Sequence, residues 1–157
     1  MGGMKVAGAG RAGGGSMNEI AGMPSYTYVV PEPFERALKL IREALEREGL
    51  EIPIELDVSG RIRKRLGISL APCRLLCIDS PMTLVEAVAV DTAGALYLPL
   101  RLVVSGRGPQ TTLHLTSLNA LQRSEAPPAV KNPVSKLQAR LSRVLQRIGG
   151  RQALSAG

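Results

Sequence analysis

Residues 33–58 read PFERALKLIREALEREGLEIPIELDV, and two periodicities meet inside them. In the first half, Phe34, Leu38, Ile41 and Leu45 recur at i, i+4, i+7 and i+11, which is one face of a helix. Glu35–Lys39 and Glu43–Arg47 add correctly oriented i,i+4 pairs on the outside, and Gly49 supplies the stop. Beyond Gly49 the period drops to two. Ile52, Ile54, Leu56 and Val58 alternate with Glu51, Pro53, Glu55 and Asp57, the pattern of a half-buried strand. Pro53 has no N–H to give to a ladder, which puts that strand at a sheet edge.

Working outward, Tyr26–Val30 is a first strand, aromatic and β-branched. Ser59–Leu66 reads as a short second helix and Leu75–Asp79 as the next strand. Ser80 as N-cap with Pro81 behind it opens a third helix to about Val90. Ala95–Ser105 and Thr111–Ser117 pair as a hairpin across Gly106–Pro109. A final helix starts at Asn132 and Pro133 and stops at Gly149. The order β-α-β-α-β-α-β-β-α in short elements predicts an α+β fold, a mixed, mostly antiparallel sheet with helices packed on it. Residues 1–24 read as a disordered Gly-rich tail, 25–149 as one domain and 150–157 as a flexible C-terminal tail. Inside the first tail, Gly8, Gly10 and Gly13 spell GxGxxG. No strand precedes them and no helix follows, so they make no dinucleotide site.

Charge is uneven along the chain. Of the 157 residues 20 are Lys or Arg and 13 are Asp or Glu, which gives +7, and the pI is near 10.0. Residues 1–58 carry 6 basic and 9 acidic side chains, whereas residues 59–157 carry 14 and 4. Such an asymmetry points to an anionic partner for the basic part. On the final helix, Val134, Leu137, Leu141, Val144, Leu145 and Ile148 fall within one apolar arc. Lys136, Arg140, Arg143 and Arg147 form a stripe opposite, which backbone phosphates of RNA would satisfy together with Arg61, Arg63 and Arg65. The plainer reading is a solvated face whose cations favour the helix C-terminal dipole. Only Phe34, Tyr26, Tyr28 and Tyr97 are aromatic, too few for a base-stacking platform, so any nucleic acid would be read through phosphates and shape.

Several chemistries are set aside. No apolar run reaches the roughly 18 residues of a membrane span. Cys73, Cys77 and His114 are one ligand short of a structural zinc site, and nothing around His114 supports a catalytic triad. No metal, no cofactor and no catalytic residue is assigned. Cys73 and Cys77 lie about 13 Å apart in an extended chain, too far for a disulfide. Glu55 and Asp57, i and i+2 on one strand face, are a candidate carboxylate pair with Lys64 as counter-charge. Alternatively Asp57 caps the following helix while Glu55 pairs with an Arg of the basic segment.

From Phe34 to about Leu118 the chain resembles the prokaryotic domain-of-unknown-function family three-hundred-two. The likeness rests on Leu45-Glu46-Arg47-Glu48-Gly49-Leu50, Glu55-Leu56-Asp57-Val58, then Ile62, Lys64, Leu66 and Gly67. It continues through Pro72 with Leu75 and Leu76, Pro81 opening a helix, and Leu98-Pro99. The resemblance implies a small, dimeric α+β domain with no established activity. Where relatives often carry Cys two residues before the proline of the third helix, this chain has Asp79. After the Leu-Pro pair it has Leu100, and in place of an Asp-Pro it has Ser117-Leu118. A cysteine-based activity of relatives is therefore not carried over. Asp79 joins Glu55, Asp57 and Lys64 as a possible ligand pocket.

Three expectations follow, all for a cytoplasmic protein. The first is a non-catalytic binding or scaffold domain whose basic surface engages RNA or another polyanion. The second is a small-molecule or enzymatic domain built on Glu55, Asp57 and Lys64. The third is a structural homodimer with incidental charge.

Overall fold

A computed structural model describes residues 18–20, 23–149 and 151–152, with side chains placed for 26–149 apart from Ala120. The elements are β1 (Asn18–Ile20), β2 (Met23–Val30), α1 (Phe34–Arg47), β3 (Glu51–Asp57), α2 (Val58–Leu66) and β4 (Cys73–Asp79). They continue with α3 (Pro81–Val90), a 3₁₀ turn (Thr92–Tyr97), β5 (Leu100–Arg107), β6 (Gln110–Thr116), α4 (Asn119–Arg123), α5 (Pro128–Arg147) and β7 (Arg151–Gln152). Five strands form the body of one sheet in the order β2-β6-β5-β4-β3, and β1 and β7 both pair with β2. Every pairing among the described residues is antiparallel, so the α+β class holds and the sheet is not mixed. Most of the expected tails at 1–24 and 150–157 lies outside the described residues.

Strand alternation decides which side chains meet the helices. Tyr28, Leu76, Ile78, Leu100, Leu102, Val104, Leu113 and Leu115 all point to one face, each with at most 2% of its surface exposed. Onto that face α1 lowers Phe34, Leu38, Ile41 and Leu45, and α5 lowers Val134, Leu137, Leu141, Val144 and Leu145. The apolar spacings of both helices thus become the core contacts expected of them.

Four details differ from the sequence expectation. β3 is at the sheet edge, as Pro53 requires, but it is not half-buried: Ile54 is 56% and Leu56 38% exposed. Both side chains point away from the helix layer, onto the face where Ile54 pairs with Cys77 and Leu56 with Leu75. Residues 95–99 are not strand. The Asp91 carboxylate accepts the Ala93 N–H at 2.9 Å and starts the 3₁₀ turn, and Pro99, in a cis bond with Leu98, has no N–H for the ladder that begins at Leu100. The hairpin is also tighter, with Arg107 paired to Gln110 across Gly108-Pro109. Finally, α5 begins at Pro128, where a first-turn proline costs no hydrogen bond, and Pro133 lies within the helix. This earlier start buries Val130. No helix among the described residues is long and apolar enough to cross a membrane.

Candidate anion-binding site

Helix α2 is short, and three local devices hold it. At its start the Asp57 carboxylate accepts the Gly60 N–H at 2.9 Å and the Ser59 hydroxyl at 3.2 Å. A Cβ on residue 60 would stand 2.3 Å from an Asp57 carboxylate oxygen, so the cap closes this tightly because residue 60 is glycine. Ser59 Oγ accepts the Cys73 N–H at 3.1 Å and ties the helix to β4. At its end Gly67 adopts φ +68° and donates its N–H to the Arg63 carbonyl at 2.8 Å.

Between these caps Arg61, Arg63, Lys64 and Arg65 are all exposed. With Leu56, Asp57 and Gly60 they line an open concavity of about 810 Å³. The four ion pairs among the described residues involve other side chains, so none of these cations makes an ion pair there. Asp57 is the one acid in the lining. The Gly60 N–H is the chief influence on it and, with Ser59, Arg74 and Arg63, outweighs desolvation and holds its carboxyl below the usual range. Its oxygens are directed at the helix start, which leaves the cations to set the field of the concavity.

The proposed four-residue pocket does not assemble. Glu55 accepts from Arg42 at 2.5 Å and from Arg74 at 3.1 Å, rather than from an Arg of the basic segment. Burial pushes the Glu55 pKa up, but the two guanidiniums outweigh it and the carboxyl stays below its ordinary value. A pair in which both carboxyls are lowered holds no proton to donate at neutral pH, so Glu55 and Asp57 do not form a general-acid pair. Asp79 is buried, and burial together with the nearby Glu51 raises its pKa. Asp57 pairs with Arg74, five residues from Asp79 along β4, which separates the two acids by about 17 Å. Of the four expected members, only Asp57 and Lys64 share the α2 concavity.

The stripe on α5 is also divided. Arg140 donates to the Glu48 carbonyl at 2.5 Å, and Arg147 donates to the Glu48 carboxylate at 2.8 Å. Lys136 and Arg143 are exposed and make no ion pair with a described residue. Glu48 precedes the first residue of β3 and α2 follows its last, so the two basic groups are separated by the strand's length, about 20 Å. The seven cations expected to act together thus fall into two patches. The sequence reading missed Ser59, Gly60 and Arg74. A Ser and a Gly directly after Asp57 were the available signal for a tight cap, whereas nothing local marks Arg74 as a partner of Glu55.

Cys73 and Cys77 are free thiols, and burial raises the pKa of both, which keeps them protonated and poorly nucleophilic. His114 is half-buried, with Nδ1 3.2 Å from the Thr27 hydroxyl, and burial lowers its pKa. No group of three or more His, Cys, Asp or Glu among the described residues could hold a metal ion.

No curated protein matches the chain. In fold it is similar to a crystal structure described as an uncharacterized conserved protein DUF302 from Bacillus stearothermophilus. The TM-score is 0.70 at 21% identity, over 79% of this chain and 97% of the other. The family described as Domain of unknown function DUF302 matches residues 26–148, the whole span from the first core strand to the end of α5, and the chain belongs to that family.

Proposed function

We propose that this chain is a non-catalytic binding domain that engages RNA through helix α2. The observation that carries this reading is the cluster of four exposed cations within five residues, in no ion pair with a described residue and held around one concavity. Three of the four are Arg, whose planar fork grips phosphate oxygens in pairs. The aromatic inventory supports phosphate reading over base reading. Phe34 and Tyr28 are buried in the core, and Tyr26 and Tyr97 pack against it, so no ring platform is free to stack bases. Lys136 and Arg143 on α5 supply a weaker, separate contact. The same reading takes the protein to be cytoplasmic.

The experiment is fluorescence anisotropy with a short labelled RNA duplex. Wild type is compared with a fourfold Gln variant (R61Q, R63Q, K64Q, R65Q) and with the double variant K136Q, R143Q. All these side chains are exposed, so the fold should survive. The α2 variant should lose more than about tenfold in affinity and the α5 variant less, since each phosphate contact contributes its own counterion release. Equal binding by wild type and the α2 variant would reject the reading.

A further inference from the structure

Duplex RNA held by α2 would have no use for the residues that follow its cations. Leu66-Gly67-Ile68-Ser69-Leu70-Ala71-Pro72 carries no charge, and every residue of it is exposed. Leu66, Ile68 and Leu70 show 68%, 50% and 54% of their surface to solvent. A single exposed Leu is ordinary, but three large apolar side chains within five residues form a patch, and an exposed apolar patch marks a binding surface. The core makes no claim on this end of the molecule, since α2 buries none of its residues.

From this patch and the cations beside it, we infer that the α2 end of the molecule docks peripherally on an anionic lipid bilayer. Leu66, Ile68 and Leu70 enter the acyl boundary, and the four cations of α2 meet the headgroup phosphates. Charge complementarity names this occupant. No acidic residue occurs from Val58 to Ile78, so nothing within the segment opposes a negative surface. The acids that precede it are engaged: Asp57 accepts from Gly60 and Ser59, and Glu55 from Arg42 and Arg74. A bilayer is negative at its headgroups and apolar a few ångströms deeper, the same two chemistries that stand side by side here. Arg and Lys stems can lie along apolar surface while their charged ends stay among the phosphates. RNA offers the phosphates without the apolar layer, and so accounts for the cations alone. The docking is peripheral, because no helix among the described residues is long and apolar enough to span. The inference goes beyond the RNA reading. RNA and a bilayer would exclude each other at α2, since both take the same cations.

Co-sedimentation of the full chain with vesicles tests it. The probes are phosphatidylcholine vesicles containing about one-third phosphatidylglycerol, and vesicles of phosphatidylcholine alone. Wild type should pellet with the anionic vesicles and partition at least about tenfold less onto the neutral ones, because each Lys or Arg near an anionic surface contributes about fivefold. The triple variant L66S, I68S, L70S should lose about tenfold or more on anionic vesicles, while its affinity for duplex RNA stays that of wild type. All three side chains are at least half exposed, so the variant has no reason to unfold, and circular dichroism checks that. The chain has no Trp, so Leu70→Trp supplies a single fluorophore whose emission should move to the blue on anionic vesicles. A wild type that stays in the supernatant, a folded triple variant that pellets as wild type does, or a Trp emission that does not move each overturns the inference. RNA binding without vesicle binding overturns the membrane docking alone, and vesicle binding without RNA binding overturns the RNA reading alone.

Discussion

Arg147 holds the Glu48 carboxylate at 2.8 Å although 99 positions of chain separate them. About two turns earlier on α5, Arg140 reaches the backbone carbonyl of the same Glu48. Two members of the α5 stripe therefore fasten the last helix to the end of α1. Their guanidiniums are not a row offered to a polyanion, and the burden of anion binding shifts to α2.

That fastening contributes little to stability compared with the apolar arc beneath it. Arg147 and Glu48 are 62% and 33% exposed, and exposed pairs are worth about 0–1 kcal/mol. Glu48→Gln should accordingly change the unfolding free energy by less than about 1 kcal/mol. Leu141 is fully buried, and Leu141→Ala should cost about 2–5 kcal/mol through lost transfer energy and the cavity left behind. Urea titration of both variants checks the contrast.

Glu55 makes the edge of the sheet acid-sensitive. Its folded carboxyl lies below the ordinary value of 4.5, so the unfolded state takes up the proton first as pH falls. The stability it contributes is fully present above that ordinary value and disappears as pH drops through the lowered folded value. Wild type should therefore be more stable than Glu55→Gln at pH 7, with the gap closing below about pH 4. Thermal melts across that range read it directly.

Asp79 has the opposite sign. Its pKa is raised above 3.8 by burial first and by Glu51 second, so the folded state is the one that holds the proton longer. Stability falls as pH rises through the window between 3.8 and the folded value, and the penalty persists at neutral pH. Asp79→Asn removes it. The variant should melt higher than wild type at pH 7 and together with it near pH 3 (the region below both ionisations). A lower Tm for the variant at pH 7 would mean that the carboxylate is stabilised in the folded chain.

Local pattern made much of this fold legible. The faces of α1 and α5, the edge position of β3 and the Asp57 cap each depend on neighbours within a few residues, and each appears in the structure. What escaped depends on packing or on chain-distant partners. Glu55 meets Arg42 and Arg74 only once α1 and β4 flank β3, and Arg140 and Arg147 meet Glu48 only once α5 crosses the end of α1. Residues 95–99 carry β-compatible side chains, but the Asp91 carboxylate and the missing N–H of Pro99 prevail over that preference. The stripe on α5 was visible in sequence, whereas which of its cations were already engaged was not.

The salt dependence of RNA binding probes the α2 assignment most directly. Four phosphate contacts release about 0.9 counterion each, so log affinity against log salt should fall with a slope of about −3.6 for wild type on duplex RNA. The slope should shrink sharply when Arg61, Arg63, Lys64 and Arg65 are replaced by Gln, leaving at most the weaker contribution of Lys136 and Arg143. A wild-type affinity that is flat with salt, or a steep slope that survives those four replacements, would contradict the account.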